Sequence, residues 1–164
     1  AARTVLDAAT DYQTLILTGP LLGVPTPPPA WQTWLLRTLS ALFPAAKALE
    51  IDASAVSRDQ AVVDDYVADP LVHHDNIPAR TVVSLFDEAS AVLGLASEIS
   101  LPTLLLHGEE DVLTSVPASR QFMADVSATD KHITVYPGMY HELFNEPEKE
   151  DIIRTCLDWI ATRL

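Results

Sequence analysis

The sequence predicts an α/β protein in which parallel strands are joined by crossover helices and one long helical segment is inserted between strands. Two short apolar runs, residues 103–106 and 133–136, lie about one helix length apart. Each has the length and composition of a buried strand. A third run lies at residues 14–17, and residues 21–100 contain no convincing strand. Strands alternating with helices favour a parallel sheet, and the long gap predicts an insertion.

The composition suits a folded domain and argues against two classes of partner. Of the 164 residues, 48% are hydrophobic, enough to build a substantial core. The net charge is −13, with 23 acidic residues against 10 basic ones. Nucleic-acid binding and electrostatic capture on anionic lipid both require the opposite balance. The single cysteine, Cys156, excludes an internal disulfide, and we expect a cytoplasmic protein.

Residues 1–20 are expected to contribute one helix and one core strand. Residues 1–9 are rich in alanine and predict the end of a helix. The strand at residues 14–17 stops at Gly19 and Pro20, a strong breaker pair. A helix that feeds directly into a strand indicates that the sequence enters the fold partway through a β-α-β unit.

Residues 21–100 are expected to form an all-helical lid over the carboxyl edge of the sheet. A proline-rich linker precedes a helix at residues 30–42, whose apolar side chains recur every three or four positions: Trp31, Trp34, Leu35, Leu39 and Leu42. Ser57 and Gln60 have the spacing of a capping box and predict a short helix to about residue 67. Pro78 suits the first turn of a longer helix through about residue 96.

Residues 101–164 are expected to complete the sheet and to carry its chemistry. Asp111 follows the strand at residues 103–106, and His141 follows the strand at residues 133–136. Because neighbouring parallel strands end at the same edge of a sheet, we expect both loops to meet there. An acid beside a histidine supplies two members of a hydrolytic triad, in which the acid fixes the tautomer of a general-base imidazole.

The spacing leaves the acid ambiguous, and the nucleophile is not found. Glu109 and Glu110 share the turn with Asp111, so three carboxylates are candidates. No serine has the G-x-S-x-G setting of a nucleophile on a strand-to-helix turn. Ser115 has instead the setting of a helix N-cap.

The other titratable residues predict no additional site. His73 and His74 are adjacent, so their side chains diverge, and no second ligand pair has zinc spacing. We therefore expect neither a metal nor another cofactor. Cys156 is expected to lie unreactive within the last helix. That helix is predicted to start near residues 145–148, with several acids in its first turns: Glu146, Glu148, Glu150 and Asp151.

Three stretches resemble a known family. They are LPTLLLHGEEDVLTS at residues 101–115, YPGMYHELFNEPEK at residues 136–149 and SRDQAVVDDYVADPLVHH at residues 57–74. Together they are similar to the monoacylglycerol lipase and lysophospholipase branch of the α/β-hydrolases, especially to its bacterial monoacylglycerol lipases. The resemblance extends over residues 12–164 and implies the C-terminal part of an α/β-hydrolase fold with a lid insertion.

The resemblance also implies roles for individual residues. Asp111 matches the triad acid, which resolves the choice among the three carboxylates, and His141 matches the general base. Residues 21–100 match a mobile lid whose apolar face would admit an acyl chain and contact lipid interfaces transiently. Four lid residues are then expected to line an acyl tunnel, although packing within the lid explains them equally well: Trp31, Trp34, Leu35 and Phe86.

In this family the oxyanion HG motif and the G-x-S-x-G serine lie in an N-terminal half that precedes the matched region. The resemblance thus implies an upstream serine, an N-terminal half as the partner of this chain, and a small lipid ester as the substrate. Two other functions stay open. An upstream aspartate would make the protein an epoxide hydrolase or a dehalogenase. Alternatively, the chain is a non-catalytic half-domain that binds a partner or an apolar ligand.

Overall fold

The computed structural model describes residues 1–8 and 11–163. Its helices and strands follow one another along the chain in this order: α1 (Ala2–Asp7), β1 (Leu15–Thr18), α2 (Ala30–Leu42), β2 (Lys47–Leu49), α3 (Gln60–Ala68), β3 (Ile77–Pro78), α4 (Ala79–Gly94), β4 (Thr103–Gly108), α5 (Val116–Asp125), β5 (Lys131–Tyr136) and α6 (Lys149–Ala161). The predicted first helix is therefore present at Ala2–Asp7, and Ala9 lies outside the described residues.

Three parallel strands position the loops that carry the chemistry. β4 lies between β1 and β5, and α5 makes the crossover from β4 to β5. In the β4–β5 ladder Thr103 is opposite Lys131 and Gly108 is opposite Tyr136, so both strands end level with each other. The loops that follow β4 and β5 consequently leave from the same edge. The predicted α/β fold class is confirmed.

Successive side chains of a strand point to opposite faces of the sheet, and helices cover both faces here. On β4, Leu105 belongs to one buried cluster, and Leu104 and Leu106 belong to another. The first cluster contains residues from α1, α4 and α5, such as Val5, Val92 and Phe122, whereas the second contains Ile152 and Trp159 of α6. Every residue of β4 is buried. Such a strand reads as a continuous apolar run, which is why the sequence identified it easily.

The insertion, residues 21–100, agrees with the expected helices but not with the absence of strands. α2 has the predicted bounds, and α3 ends at Ala68, directly before Asp69 and Pro70. β2 and β3 form a small antiparallel pair in which Lys47 is opposite Pro78 and Leu49 is opposite Ile77. The expectation of an insertion without strands is wrong at this point. Strands of two and three residues are too short to show a period-two pattern in a sequence.

Three predicted helix starts differ from the structure in informative ways. The N-cap of α3 is Asp59, whose side chain accepts a hydrogen bond from the N–H of Ala61 at 3.0 Å, and not Ser57. Ser57 instead donates its hydroxyl to the carbonyl of Asn145 at 2.8 Å. Pro78 precedes α4 as its N-cap residue, and α6 starts only at Lys149. Ser115 caps α5 as predicted, accepting from the N–H of Ala118.

Candidate active site

The turn after β4 buries and fixes the carboxylate of Asp111. Its side chain has no solvent-exposed surface. Oδ1 accepts hydrogen bonds from the backbone N–H groups of Leu113 at 2.8 Å and Thr114 at 2.9 Å. Oδ2 accepts the hydroxyl of Thr114 at 2.7 Å. These bonds close the turn just before α5 begins and leave the carboxylate with one orientation, as is typical of an aspartate that folds back onto the following backbone.

The loop after β5, residues 137–148, places His141 against this carboxylate. Its Nδ1 lies 2.8 Å from Oδ2 of Asp111, although the two residues are 30 positions apart in the sequence. The carboxylate is acceptor-only, so Nδ1 donates, and Nε2 is the ring nitrogen left for proton transfer. The His141 side chain keeps 27% of its surface exposed. Glu109 and Glu110 are exposed, and the structure brings neither of them to His141 by a hydrogen bond or an ion pair within its described residues.

The pKa of Asp111 is lowered from its usual value. Burial of the carboxylate is the largest single influence and raises the pKa, but several hydrogen bonds together outweigh it. They come from His107, His141 and the hydroxyl and backbone N–H of Thr114. Asp111 is thus an ionised acid in a buried environment, suited to orienting an imidazole and to stabilising its protonated form.

Two glycines allow the chain to approach the histidine loop closely. Gly19 follows β1 with φ +49°, and a Cβ there would lie 3.0 Å from the carbonyl oxygen of His141 and 3.1 Å from its Nδ1. Gly108 ends β4, and a Cβ there would lie 2.1 Å from the carbonyl oxygen of Tyr140. A side chain at Gly108 would overlap the backbone of the histidine loop, and one at Gly19 would crowd the His141 ring. Gly19, which the sequence indicates only as part of a strand-breaking pair, therefore also leaves room for His141.

An ion pair joins the histidine loop to the insertion. The buried carboxylate of Glu146 contacts the Nε of Arg58 at 2.6 Å and accepts the backbone N–H of Tyr140 at 3.0 Å. The hydrogen bond to Glu146 raises the pKa of the Arg58 guanidinium. Glu146 was expected in the first turn of the last helix, and that expectation is wrong because α6 starts three residues later. Glu148 precedes α6 directly and pairs with the same arginine.

His141 opens onto a cavity of about 550 Å³ between the insertion and the edge of the sheet. Most of its walls are apolar side chains from both parts, including Leu21, Val24, Ile51, Ile77, Val82, Leu85, Phe86, Val112 and Leu113. Two carboxylates of the insertion, Glu50 and Asp52, also line it. An apolar group with one reactive end beside His141 would suit this lining.

The four lid residues proposed for an acyl tunnel separate into two groups. Phe86 lines the cavity that contains His141. Trp31, Trp34 and Leu35 are not among the residues lining that cavity and expose 63%, 68% and 53% of their surfaces on α2. The three- and four-residue spacing identifies an apolar helix face correctly, but it cannot tell what that face meets.

The other candidates lie away from this pair. His73 and His74 line a second, open cavity of about 750 Å³ next to the first. Burial raises the pKa of the half-buried Cys156 thiol. Across residues 1–8 and 11–163, no group of three or more His, Cys, Asp or Glu side chains could hold a metal ion. No helix within those ranges has the length and apolar character needed to cross a membrane.

Sequence reasoning missed two residues of the site, His107 and Glu146. His107 lies in β4 with no exposed side-chain surface, and its Nε2 is 3.1 Å from Oδ2 of Asp111. A histidine inside a continuous apolar strand must find polar partners once it is buried, and that was the available signal. Glu146 gave no such signal, because an acid before a helix is usually a surface residue.

A buried acid paired with a histidine beyond neighbouring parallel strands, under an inserted segment, defines the α/β-hydrolase class. The comparisons with known proteins place the chain within it. The Hydrolase_4 family, described as serine aminopeptidase, S33, matches residues 1–148, and the chain belongs to this family.

Its relatives confirm the expected monoacylglycerol lipase branch. The chain is 35% identical over 154 residues to a monoacylglycerol lipase of Mycolicibacterium smegmatis, covering 94% of this chain and 55% of that protein. It is 29% identical to the monoglyceride lipase of Rattus norvegicus, with 99% and 56% covered. The crystal structure of Paleococcus ferrophilus monoacylglycerol lipase superposes with a TM-score of 0.90 at 28% identity, covering 99% of this chain and 64% of that one. The chain thus spans about half the length of the curated relatives it matches.

Proposed function

We propose that the complete protein is a serine ester hydrolase that acts on monoacylglycerols or similar lipid esters. The observation that carries this proposal is the 2.8 Å contact between Asp111 and His141, whose ring lines a largely apolar cavity. The relatives named monoacylglycerol lipase support the substrate class. The nucleophilic serine and the oxyanion donors are proposed to lie upstream of this chain, in an N-terminal half that completes the fold.

In the proposed mechanism His141 acts first as base and then as acid. Its Nε2 takes the proton of the serine hydroxyl as the oxygen attacks the ester carbonyl. When the tetrahedral intermediate collapses, the same nitrogen returns the proton to the departing glycerol oxygen, leaving an acyl-enzyme. Water then attacks with the same proton transfers and releases the fatty acid. Asp111 stays ionised throughout, holds Nδ1 and stabilises the imidazolium.

The insertion is proposed to act as a lid that selects and delivers the lipid. Phe86 and the other apolar walls of the cavity would bury the acyl chain, in keeping with their position beside His141. The exposed aromatic face of α2, with Trp31 and Trp34, would contact lipid aggregates transiently. We also propose a cytoplasmic protein that reaches lipid in this way. No cofactor takes part in the reaction.

The test uses the complete protein, a monoacylglycerol substrate and a fluorophosphonate probe that labels activated serines. We expect the wild-type protein to hydrolyse the ester and to take up the probe. Asp111→Asn should lower kcat by about 10⁴-fold through loss of the tautomer, and His141→Ala should be similarly severe. The matched control is Glu109→Gln, an exposed acid of the same turn, which should change kcat by less than about twofold.

Each alternative has its own signature in this test. A full-length protein that hydrolyses an epoxide or a haloalkane and takes up no fluorophosphonate would indicate an aspartate nucleophile. A protein that binds apolar ligand without turnover on any ester would indicate a binding module. Full activity of the Asp111→Asn variant would remove Asp111 from the triad, and Glu110 would then be tested in the same way.

A further inference from the structure

The acid of the candidate triad contacts two histidines and not one. His107 is the second-last residue of β4, and its ring lies fully buried between the acid loop and α5. Its Nε2 is 3.1 Å from Oδ2 of Asp111 and 3.2 Å from the hydroxyl oxygen of Thr114. Its Nδ1 is 2.9 Å from the hydroxyl of Ser119, a buried residue of α5. The proton transfers proposed for His141 use none of these His107 contacts.

The partners fix which proton lies on which atom. The Thr114 hydroxyl donates to Asp111, so its lone pairs are free to accept a hydrogen bond. Nε2 of His107 faces only acceptors, namely that lone pair and the Asp111 carboxylate, so it carries the proton. In the neutral ring Nδ1 is then an acceptor and receives the hydroxyl proton of Ser119. Asp111 and Thr114 therefore set the Nε2–H tautomer, and Ser119 supplies a matching donor at Nδ1.

We propose that His107, whose Nε2–H tautomer is set by Asp111 and Thr114, is a positioning residue that donates to the same carboxylate oxygen as His141 and reduces the stabilisation that Asp111 gives to protonated His141. This proposal rests on the proposed roles of Asp111 and His141. Oδ2 of Asp111 has three donors within 3.1 Å: Thr114, His141 and His107. Each donor takes up part of the negative charge that would otherwise stabilise protonated His141.

A general base works best when its pKa lies near the working pH, so that its acid partner does not keep it protonated. Removing His107 should concentrate the charge of Asp111 on His141 and move the His141 titration to higher pH. The ionisable groups that face His141 are Asp111 at Nδ1 and, across the cavity, Glu50 and Asp52 of the insertion. Behind the loop, Glu146 holds the N–H of Tyr140. None of these changes when His107 is replaced.

The experiment follows the histidine nitrogens of the complete protein by NMR after ¹⁵N-histidine labelling. Loss of individual signals in His107→Phe and His141→Ala assigns the two rings. We expect the Nε2–H tautomer for His107 across neutral pH. We also expect the His141 titration to move to higher pH in His107→Phe, because the Asp111 carboxylate loses one hydrogen-bond donor.

Ser127→Ala is the control, because Ser127 lies beyond the far end of α5 and donates its hydroxyl to the carbonyl of Ile99. Its His141 titration should equal that of the wild type. A wild-type His107 with the proton on Nδ1, or an unchanged His141 titration in a folded His107→Phe protein, would overturn the proposal. If His107→Phe does not fold, the tautomer of His107 in the wild-type protein decides alone. These readouts need no turnover, so a protein without esterase activity would refute the proposed function separately.

Discussion

The carboxylate of Glu146 and the guanidinium of Arg58 form a 2.6 Å ion pair in which the acid has no exposed surface. The two residues are 88 positions apart and belong to the histidine loop and the insertion, respectively. The same carboxylate accepts a hydrogen bond from the backbone N–H of Tyr140, the residue before His141. The position of the general base is thus coupled to the attachment of the insertion.

Arg58→Ala is expected to lower the free energy of unfolding by about 3 kcal/mol, because it leaves a buried carboxylate without its counterion. The matched control is Arg37→Ala, which breaks an exposed pair with Asp87 between α2 and α4 and should cost less than about 1 kcal/mol. Urea unfolding of both variants measures the difference. If both variants lose the same free energy of unfolding, the buried pair stabilises the protein no more than the exposed one does.

Gly19→Ala is expected to lower kcat/KM by up to about 100-fold, because the added methyl group would crowd the His141 ring and displace it from its catalytic position. Gly138→Ala is the control, since Gly138 also has a positive φ of +71° but an added Cβ there meets nothing within 4 Å. Both substitutions should cost about 1–2 kcal/mol of stability through backbone strain. If steady-state kinetics show the same loss of kcat/KM for both, strain and not contact with His141 is responsible.

Gly108→Ala should destabilise the fold by about 3 kcal/mol or more, since the methyl group would overlap backbone atoms that cannot rotate away. Gly94→Ala, at the last residue of α4 and in open space, should instead be neutral or stabilise by about 0.5–1 kcal/mol. Thermal unfolding compares the two. A Gly108→Ala protein as stable as the wild type would mean that the histidine loop does not pack closely against the end of β4.

The lowered pKa of Asp111 predicts how stability depends on pH. The folded protein binds this proton more weakly than the unfolded chain, so protonation favours unfolding. The stabilisation is complete above about pH 4, the usual aspartate pKa, and is lost as the pH falls further toward the folded-state value. The difference in unfolding free energy between wild type and Asp111→Asn should therefore shrink below pH 4. A difference that is constant from pH 7 to pH 3 would contradict the assignment.

The parts that the sequence predicted well are those with long, regular signals. β4 is a continuous apolar run, α2 has a clear helical period, and the placement of Asp111 and His141 follows from consecutive parallel strands. What escaped prediction depends on partners far away in the chain. The β2–β3 pair is too short to have a period, and the burial of Glu146 depends on Arg58. Whether an apolar helix face such as that of α2 meets a cavity is likewise decided by other segments.

The pairing of β1 with β4 has a consequence for the order of folding. The hydroxyl of Thr14, the residue before β1, donates to the carbonyl of Pro102, 88 residues later, and accepts the indole N–H of Trp159, 145 residues later. To form contacts this distant in the sequence, the chain must first lose the entropy of closing large loops, and only then do the contacts stabilise it. By the same argument, the β4–α5–β5 unit, whose paired strands are joined by a single helix, can form before β1 is added. We therefore expect Asp111 and His141, which are 30 positions apart, to meet before β1 closes the sheet.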